Sequence, residues 1–259
     1  PVLEYEQMAG RAGRPGKEEF GEAIAISSSE KEKEIIKESY IFGTVEDIQS
    51  KLAVEPVLRT YVLSLVASRF VSSREELMDF FKKTFYAYQF GDMKLLEKIT
   101  DKVIELLKAY TFLERSDAEY DDFVSANVSV EDTLKATPLG EKVSELYLDP
   151  YTAHHILEAF EQTKQKRVKD INIGLLQALS DTIEMEPLLP VRSADVESLH
   201  TVLSSFEDSL LVPVPSEYDF SFDDFLRTIK TALFFKAWID ETDEELLLER
   251  FSIRPGETR

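Results

Sequence analysis

The stretch Gln7-Met-Ala-Gly-Arg-Ala-Gly-Arg-Pro-Gly16 combines two arginines with three glycines. A planar guanidinium can bind two phosphate oxygens at once and does not lose its charge. Arg11 and Arg14 are three positions apart, so on a helix they would be neighbours and could face one anion. Gly10 and Gly13 allow a backbone to approach a partner closely. The stretch therefore predicts a phosphate-binding element, with a Gly/Arg-rich surface turn as the alternative.

The residues that follow predict the end of an α/β domain. The apolar run Ala23-Ile-Ala-Ile26 is typical of a buried strand. Ser28 and Ser29 are suitable N-caps for a charged helix that runs to about Ile41, and Gly43 would end it. We assign residues 1–46 to this tail of an α/β domain.

A second block, residues 47–150, changes its periodicity along the chain. Apolar residues recur at helical spacing from Leu52 to Val66, and two further helices are expected at 74–85 and 93–110. The β-prone stretches 111–115 and 122–128 follow, which completes the element order of a winged helix. Thr137 and Pro138 then start another helix that ends near Asp149-Pro150.

The third block, residues 151–259, is expected to be all-helical. Its clearest helix runs from Ser221, as the N-cap, to Asp240, and a short helix follows at 244–251. Pro255-Gly-Glu-Thr-Arg259 is typical of a loop that enters a new helix. We therefore expect a mainly α chain with small β content, whose last domain is incomplete.

Composition excludes several classes of protein. The chain has 259 residues, 43% of them hydrophobic, which is enough to bury real cores. No cysteine is present, which excludes disulfides, thiolate zinc sites, iron–sulfur clusters and cysteine nucleophiles. With 50 acidic and 30 basic residues the net charge is −20, which argues against nucleic-acid binding through bulk electrostatics. A local basic strip is still compatible with this charge.

The opening stretch closely resembles motif VI of superfamily-two helicases, and Gly21-Glu-Ala-Ile-Ala-Ile26 after it is similar to the Ski-like branch. Further segments resemble the archaeal Hjm-type DNA repair helicases over essentially the whole chain. These segments are Tyr40-Ile-Phe-Gly43, Ser50-Lys-Leu52, Leu58-Arg59, Phe80-Phe81, Thr84-Phe85, Leu146-Tyr-Leu-Asp-Pro150, Lys230-Thr-Ala-Leu233, Trp238-Ile-Asp-Glu241 and Ile253-Arg-Pro-Gly256.

The resemblance implies the end of a second RecA-like domain (1–46), a winged helix (47–150) and part of a helical ratchet domain (151–259). It implies that Gln7, Gly10, Arg11, Gly13 and Arg14 line the ATP cleft, with Arg11 and Arg14 as arginine fingers. The implied cofactors are ATP and Mg²⁺. The implied activity is 3′-to-5′ unwinding of DNA at stalled forks and recombination intermediates.

The resemblance also sets expectations about partners and location. We expect single-stranded and forked DNA as the substrate, with replication or recombination proteins as possible partners. A monomer in the cytoplasm, associated with the nucleoid and not with a membrane, is expected. The chain contains neither a G-x-x-x-x-G-K-[S/T] motif nor an acidic DE-x-H segment. We therefore expect no ATP hydrolysis from these residues alone.

Two other functions are kept as alternatives. The chain could be part of a Ski-like RNA helicase, which preference for RNA would reveal. It could also be a winged-helix protein without enzymatic activity that binds nucleic acid or another protein. One basic cluster contains Lys164, Lys166, Arg167 and Lys169. It could follow the backbone of single-stranded DNA, or it could be a solvated charged face.

The remaining candidates have simpler explanations. His154, His155 and His200 have no metal-ligand spacing, and we expect no metal site. The acidic run at 240–245 lacks the spacing of an EF-hand. The aromatic set between Phe80 and Phe90 is expected to alternate between core and surface, because no basic residues accompany it in a pattern that would bind bases.

Overall fold

The structure is a computed structural model that describes residues 2–13, 16, 20–115, 133–165 and 171–254. The chain divides into two compact units, Pro1–Lys51 and Leu52–Arg259. Within the described residues the fold is mainly helical with one two-stranded sheet, as the sequence predicted. No helix in those residues is both long and apolar enough to cross a lipid bilayer.

The elements are numbered in chain order. The first unit contains α1 (Val2–Ala9) and α2 (Glu30–Ile36), and a π-helical turn (Lys37–Ile41) continues α2. The second unit begins with α3 (Glu55–Ala67), α4 (Arg74–Phe81), α5 (Phe85–Phe90), α6 (Met93–Ala109), β1 (Leu113–Glu114), β2 (Lys135–Ala136) and α7 (Pro138–Glu145). It continues with α8 (Pro150–Gln165), α9 (Ile171–Ser180), α10 (Ser193–Phe206), α11 (Ser221–Ile239) and α12 (Glu244–Phe251).

The charged helix of the first unit begins where the sequence predicted. Ser29 is its N-cap and accepts a hydrogen bond from the backbone N–H of Glu32. The carboxylate of Glu32 in turn accepts from the N–H of Ser28 at 2.7 Å. These reciprocal bonds satisfy donors that the first helical turn leaves free.

The predicted strand at 23–26 is wrong for the described structure. Residues 20–27 have no regular secondary structure, and Ile24 and Ile26 are 81% and 89% exposed. A strand exists only when a neighbouring strand takes up its backbone hydrogen bonds, and no described residue of the chain pairs with this segment. The apolar pattern alone does not show whether a neighbouring strand is present.

The first half of the second unit shares one hydrophobic core. α6 contributes a strip at helical spacing, Leu96, Val103, Ile104 and Leu107, each buried. α3, α4, both strands and α7 pack their apolar residues against the same core. An amphipathic helix in water is stable mainly because such a face is buried, which is why the 3.6-residue pattern located α3 and α6 correctly.

The small sheet is antiparallel and pairs Leu113 with Ala136 and Glu114 with Lys135. A separate antiparallel bridge joins Ser73 to Thr133. The sequence predicted the strand near 113 but missed its partner at 135–136, because two residues are too short to show an alternating pattern. The other predicted strand, 122–128, lies outside the described residues.

Two helix boundaries differ from the prediction. The helix expected at 74–85 ends at Phe81, because the hydroxyl of Thr84 donates to the carbonyl of Phe81 at 2.7 Å and the chain turns before α5. Ser221 is the first residue of α11 and not its cap. The side chain of Asp219 instead accepts from the N–H of Ser221 at 3.1 Å.

The second half of this unit is all-helical where it is described, as predicted. α10, α11 and α12 bury apolar residues in two clusters that meet on α11. α9 contacts the segment before α11 through Gln177, which is fully buried and whose side chain bonds the N–H groups of Leu211 and Val212. The predicted entry into a new helix at 255–259 lies outside the described residues.

Candidate functional site

The end of α1 forms a compact turn at the predicted phosphate-binding stretch. At the N-terminal end of α1, the carboxylate of Glu46 accepts hydrogen bonds from the N–H groups of Val2 at 2.8 Å and Leu3 at 3.3 Å. At the C-terminal end, the N–H of Gly10 donates to the carbonyl of Glu6, four residues earlier. The N–H of Arg11 donates to the carbonyl of Met8, only three residues earlier, so the last turn is tighter than an α-helix. The pKa of Glu46 lies below its usual value. The main cause is a hydrogen bond from its own backbone N–H to the carboxylate, and the N–H groups of Val2 and Leu3 add to the effect.

A glycine pair holds the two ends of this loop together. Gly13 has a φ of +77°, a conformation that favours glycine. A Cβ on Gly21 would lie 2.4 Å from the backbone nitrogen of Gly13 and from the carbonyl carbon of Ala12. The backbones therefore touch at a distance that only a residue without a side chain permits. The sequence analysis missed Gly21 as a site residue, although its position in the glycine-rich segment was a usable signal.

The polar side chains of this loop are open to a ligand. The side chains of Gln7 and Arg11 are exposed, and neither side chain makes a hydrogen bond or an ion pair within the described part of the chain. An exposed arginine without a carboxylate partner can bind a phosphate anion without first breaking another bond. Gly10 and Gly13 lie in the same turn. Arg14 lies outside the described residues.

The three histidines make ordinary contacts. The ring of His154 stacks on Tyr110 with 3.9 Å between the centroids. Nε2 of His155 lies 3.4 Å from a carboxylate oxygen of Asp181, and Nδ1 of His200 lies 3.8 Å from Glu217. Among the residues that the structure describes, no group of three or more His, Asp or Glu side chains could hold a metal ion.

The aromatic set divides between core and surface. Phe81 and Tyr86 are buried, whereas Phe85 and Tyr88 are 50% and 89% exposed. Of the predicted basic cluster, only Lys164 is described, and its Nζ lies 2.6 Å from a carboxylate oxygen of Glu161. Lys166, Arg167 and Lys169 lie outside the described residues.

The structure also reveals a basic face that the sequence analysis missed. Lys94, Lys98 and Lys102 are exposed and lie at four-residue intervals on α6, so they line one side of the helix. None of the three has an ion pair within the described residues. The spacing was visible in the sequence, but the pairing of the neighbouring acids was not.

Those acids are bound to other cations. Glu97 and Asp101 both contact Arg74, at 2.8 Å and 2.6 Å, and Glu105 contacts Lys108 at 2.9 Å. The hydrogen bonds that Arg74 donates to Asp101, and then to Glu97, raise the pKa of Arg74 above its usual value. Because all three acids of α6 already have cationic partners, no acid in the described part of the chain forms an ion pair with these three lysines.

Comparison with known proteins agrees with the resemblance seen in the sequence. Residues 173–259 match the family model described as archaeal helicase, domain 4. This range lies within the third predicted block, 151–259. The match begins at the third residue of α9 and includes α10, α11 and α12.

Several whole-chain relatives share one name, ATP-dependent DNA helicase Hel308. The protein from Methanocella arvoryzae is 38% identical over 261 residues, which is 100% of this chain and 33% of the relative. The one from Pyrococcus horikoshii is 37% identical over 99% of this chain and 33% of the relative. The one from Methanococcus vannielii is 34% identical over 99% of this chain and 36% of the relative.

The chain thus spans about a third of the length of these relatives. The similarity extends over both compact units. The comparisons therefore confirm that this chain is similar, from end to end, to part of the archaeal ATP-dependent DNA helicases.

Proposed function

We propose that this chain is part of an ATP-dependent 3′-to-5′ DNA helicase of the archaeal Hjm type. The observation that carries the proposal is the alignment of essentially the whole chain with proteins named ATP-dependent DNA helicases. The chain would supply arginine fingers, a winged helix and part of the surface along which DNA moves. The residues that cradle the phosphates and bind Mg²⁺ would belong to other parts of the same protein.

In the ATP cleft, Arg11 and Arg14 would bind the γ-phosphate as charge develops during its transfer. An arginine in this role accelerates phosphoryl transfer by about 10³-fold or more. The exposed, unpaired side chains of Gln7 and Arg11 support this assignment. The close contact between Gly13 and Gly21 would keep the two ends of the arginine loop in register.

Residues 47–150 would form the winged helix. Support comes from the element order, in which α3, α4, the short α5 and α6 are followed by β1 and β2. The antiparallel bridge between Ser73 and Thr133 adds to this support. If the six-residue α5 is set aside, α6 takes the place of the third helix, the one that helix-turn-helix proteins present to DNA. The unneutralised face of Lys94, Lys98 and Lys102 on this helix would contact phosphates.

The helical block 151–259 would form part of the DNA path. Lys164, Lys166, Arg167 and Lys169 would track the backbone of single-stranded DNA there. Stalled forks and recombination intermediates would be the substrates, and replication or recombination proteins the partners. The helicase would act as a monomer in the cytoplasm, associated with the nucleoid.

The proposal is tested by ATP turnover of the intact protein with single-stranded DNA or single-stranded RNA as the activator. We expect stronger stimulation by DNA, and loss of turnover without loss of DNA binding in Arg14→Ala. Arg69→Ala, on an arginine that is 81% exposed, is the matched control and should retain turnover.

Other outcomes would favour the alternatives. Preferential stimulation by RNA would indicate a Ski-like RNA helicase. Absence of stimulation by either polynucleotide would favour a winged-helix binding protein. Full turnover by Arg14→Ala would exclude the finger role of that residue.

A further inference from the structure

The turn that precedes α11 presents two aromatic side chains completely to solvent. Tyr218 and Phe220 are each 99% exposed, more than any other large hydrophobic residue that the structure describes. They are two positions apart in Ser216-Glu-Tyr-Asp-Phe220. Exposed single rings are common on protein surfaces, but two fully exposed rings on one short turn are an unusual loss of hydrophobic burial.

The turn is held in place by its own hydrogen bonds. The N–H of Asp219 donates to the carbonyl of Ser216 at 2.8 Å, and the N–H of Phe222 donates to the carbonyl of Asp219 at 3.0 Å. The side chain of Asp219 accepts from the N–H of Ser221 at 3.1 Å. These bonds fix the backbone on both sides of the two rings.

Neighbouring residues anchor the turn to the helical bundle. Phe222 is buried in the cluster shared by α10 and α11, and its ring lies 5.8 Å from that of His200. A carboxylate oxygen of Glu217 lies 3.8 Å from Nδ1 of the same His200. Since little conformational freedom is left for the backbone to lose, binding through the rings would have a small entropic cost.

The surrounding charge selects the kind of partner. Residues 193–226 contain eight acidic residues and no lysine or arginine. Three of the acids, Glu217, Asp219 and Asp223, lie within six positions of one another beside the rings, whereas Asp224 is paired with Arg227 at 3.2 Å. Phosphate backbones of nucleic acids are repelled by such a surface, which disfavours base stacking as the purpose of the rings.

We propose that the turn 216–220 is a docking site for another protein whose surface has an apolar pocket rimmed by lysine and arginine. Tyr218 and Phe220 would enter the pocket as anchors, the role in which rigid aromatic side chains contribute most to binding. The acids of the turn would face the basic rim and speed association. The proposal does not depend on the helicase assignment, although its test uses the intact protein.

The test is site-specific photo-crosslinking with p-benzoylphenylalanine in place of Tyr218 in the intact protein, in an extract of the cells that make it. The matched control carries the same group at Tyr88, which is 89% exposed and lies on α5. We expect a protein adduct at 218 that is absent at 88. Mass spectrometry should place the adduct in an apolar pocket bordered by lysine or arginine.

The purified partner then provides the quantitative test. Tyr218→Ala with Phe220→Ala should weaken its affinity by about 100-fold, in the range of paired hot-spot residues. Glu217→Gln with Asp219→Asn should slow association and reduce its dependence on salt. ATP turnover of both double variants should stay at the level of the unmodified protein.

Four outcomes would overturn the proposal. An adduct within the same polypeptide would show that the rings cover another part of the protein itself. An adduct with DNA would show a nucleic-acid contact. Equal adducts at 218 and 88, or no adduct at 218, would show that the turn has no dedicated partner.

Discussion

At the residue scale, the segments that carry the family resemblance contain both candidate ligand-binding residues and buried structural residues. Arg11 is exposed and unpaired in the described structure, as a ligand-binding side chain must be. Arg59, in the resembling pair Leu58-Arg59, is 5% exposed and bonded to Asp149. Resemblance alone therefore does not separate residues that bind a ligand from residues that hold the fold; burial and pairing do.

Gly21→Ala should disable the arginine loop, because the new methyl group would overlap the backbone of Ala12 and Gly13 at about 2.4 Å. The loop would have to move, and a displacement of about 1 Å in a catalytic group can lower a rate roughly 100-fold. We expect ATP turnover of the intact protein to fall at least about tenfold. Ala25→Ser is the control, because it changes an exposed side chain in the same segment of the first unit. Equal turnover in both variants would contradict the close contact.

Two aspartates should give opposite pH dependences of stability. Burial raises the pKa of Asp181 above 3.8, although His155 and Thr228 oppose this effect. Burial also acts to raise the pKa of Asp195, but hydrogen bonds from Lys230 and from the N–H of Arg192 outweigh it and hold the value below 3.8. The ionised form is thus disfavoured by folding at position 181 and favoured at position 195.

The sign follows from proton linkage. Asp181 lowers the free energy of unfolding as the pH rises from 3.8 through its raised pKa. Asp181→Asn removes this loss, so the variant should be more stable relative to the unmodified protein at about pH 7 than at about pH 3. Asp195 stabilises the fold above 3.8 and loses this contribution as the pH falls through its lowered pKa, so Asp195→Asn should lose stability at about pH 7 and little at about pH 3. Urea unfolding at the two pH values checks both, and parallel behaviour of the variants would refute the assignment.

At the scale of elements, sequence patterns located what depends on local physics. Ser73, Asp92 and Thr137 cap the helices that follow them, each by accepting a backbone N–H bond. The apolar spacing of α6 marked its buried face. The predictions that were wrong or missing concern elements that depend on distant partners. The predicted strand at 23–26 has no described strand beside it, and β2, which was missed, is defined only by its pairing with β1. Gly21 was missed because its role comes from a contact with Ala12 and Gly13.

The link between α3 and α8 should depend on a buried ion pair. Nε of Arg59 lies 2.7 Å from Oδ1 of Asp149, and the two side chains are 6% and 13% exposed. Arg59→Met leaves Asp149 charged and poorly solvated, so the free energy of unfolding should fall by about 3 to 5 kcal/mol. Lys142→Met, which breaks an exposed pair with Glu145, should cost less than about 1 kcal/mol. Similar losses in urea unfolding of both variants would argue against a special role for Arg59.

At the scale of the whole molecule, net charge and local charge point in opposite directions. A chain of −20 repels DNA at long range, so any DNA contact must come from a confined basic face. Lys94, Lys98 and Lys102 form such a face because Glu97, Asp101 and Glu105 are bound to other cations. Composition alone could not reveal this face, since its charge is small compared with the total.

Duplex binding by the 259-residue chain should therefore depend on these three lysines and on salt. If each lysine neutralises one phosphate, the slope of log K against log salt should be about −3, at roughly 0.9 per contact. Replacement of Lys94, Lys98 and Lys102 by Glu should abolish binding, as measured by fluorescence anisotropy with a labelled duplex.

The control for this experiment changes Lys31, Lys33 and Lys37 to Glu, which alters the net charge by the same amount. These lysines lie on or next to α2 among glutamates, and two of them are paired with Glu30 and Glu34. If long-range repulsion decides binding, both triple variants should lose affinity equally. A local DNA interface requires that the α2 variant retain most of its affinity and its salt slope. The comparison separates a positively charged site from the overall field of an acidic protein, which is the distinction on which the proposed role of α6 depends.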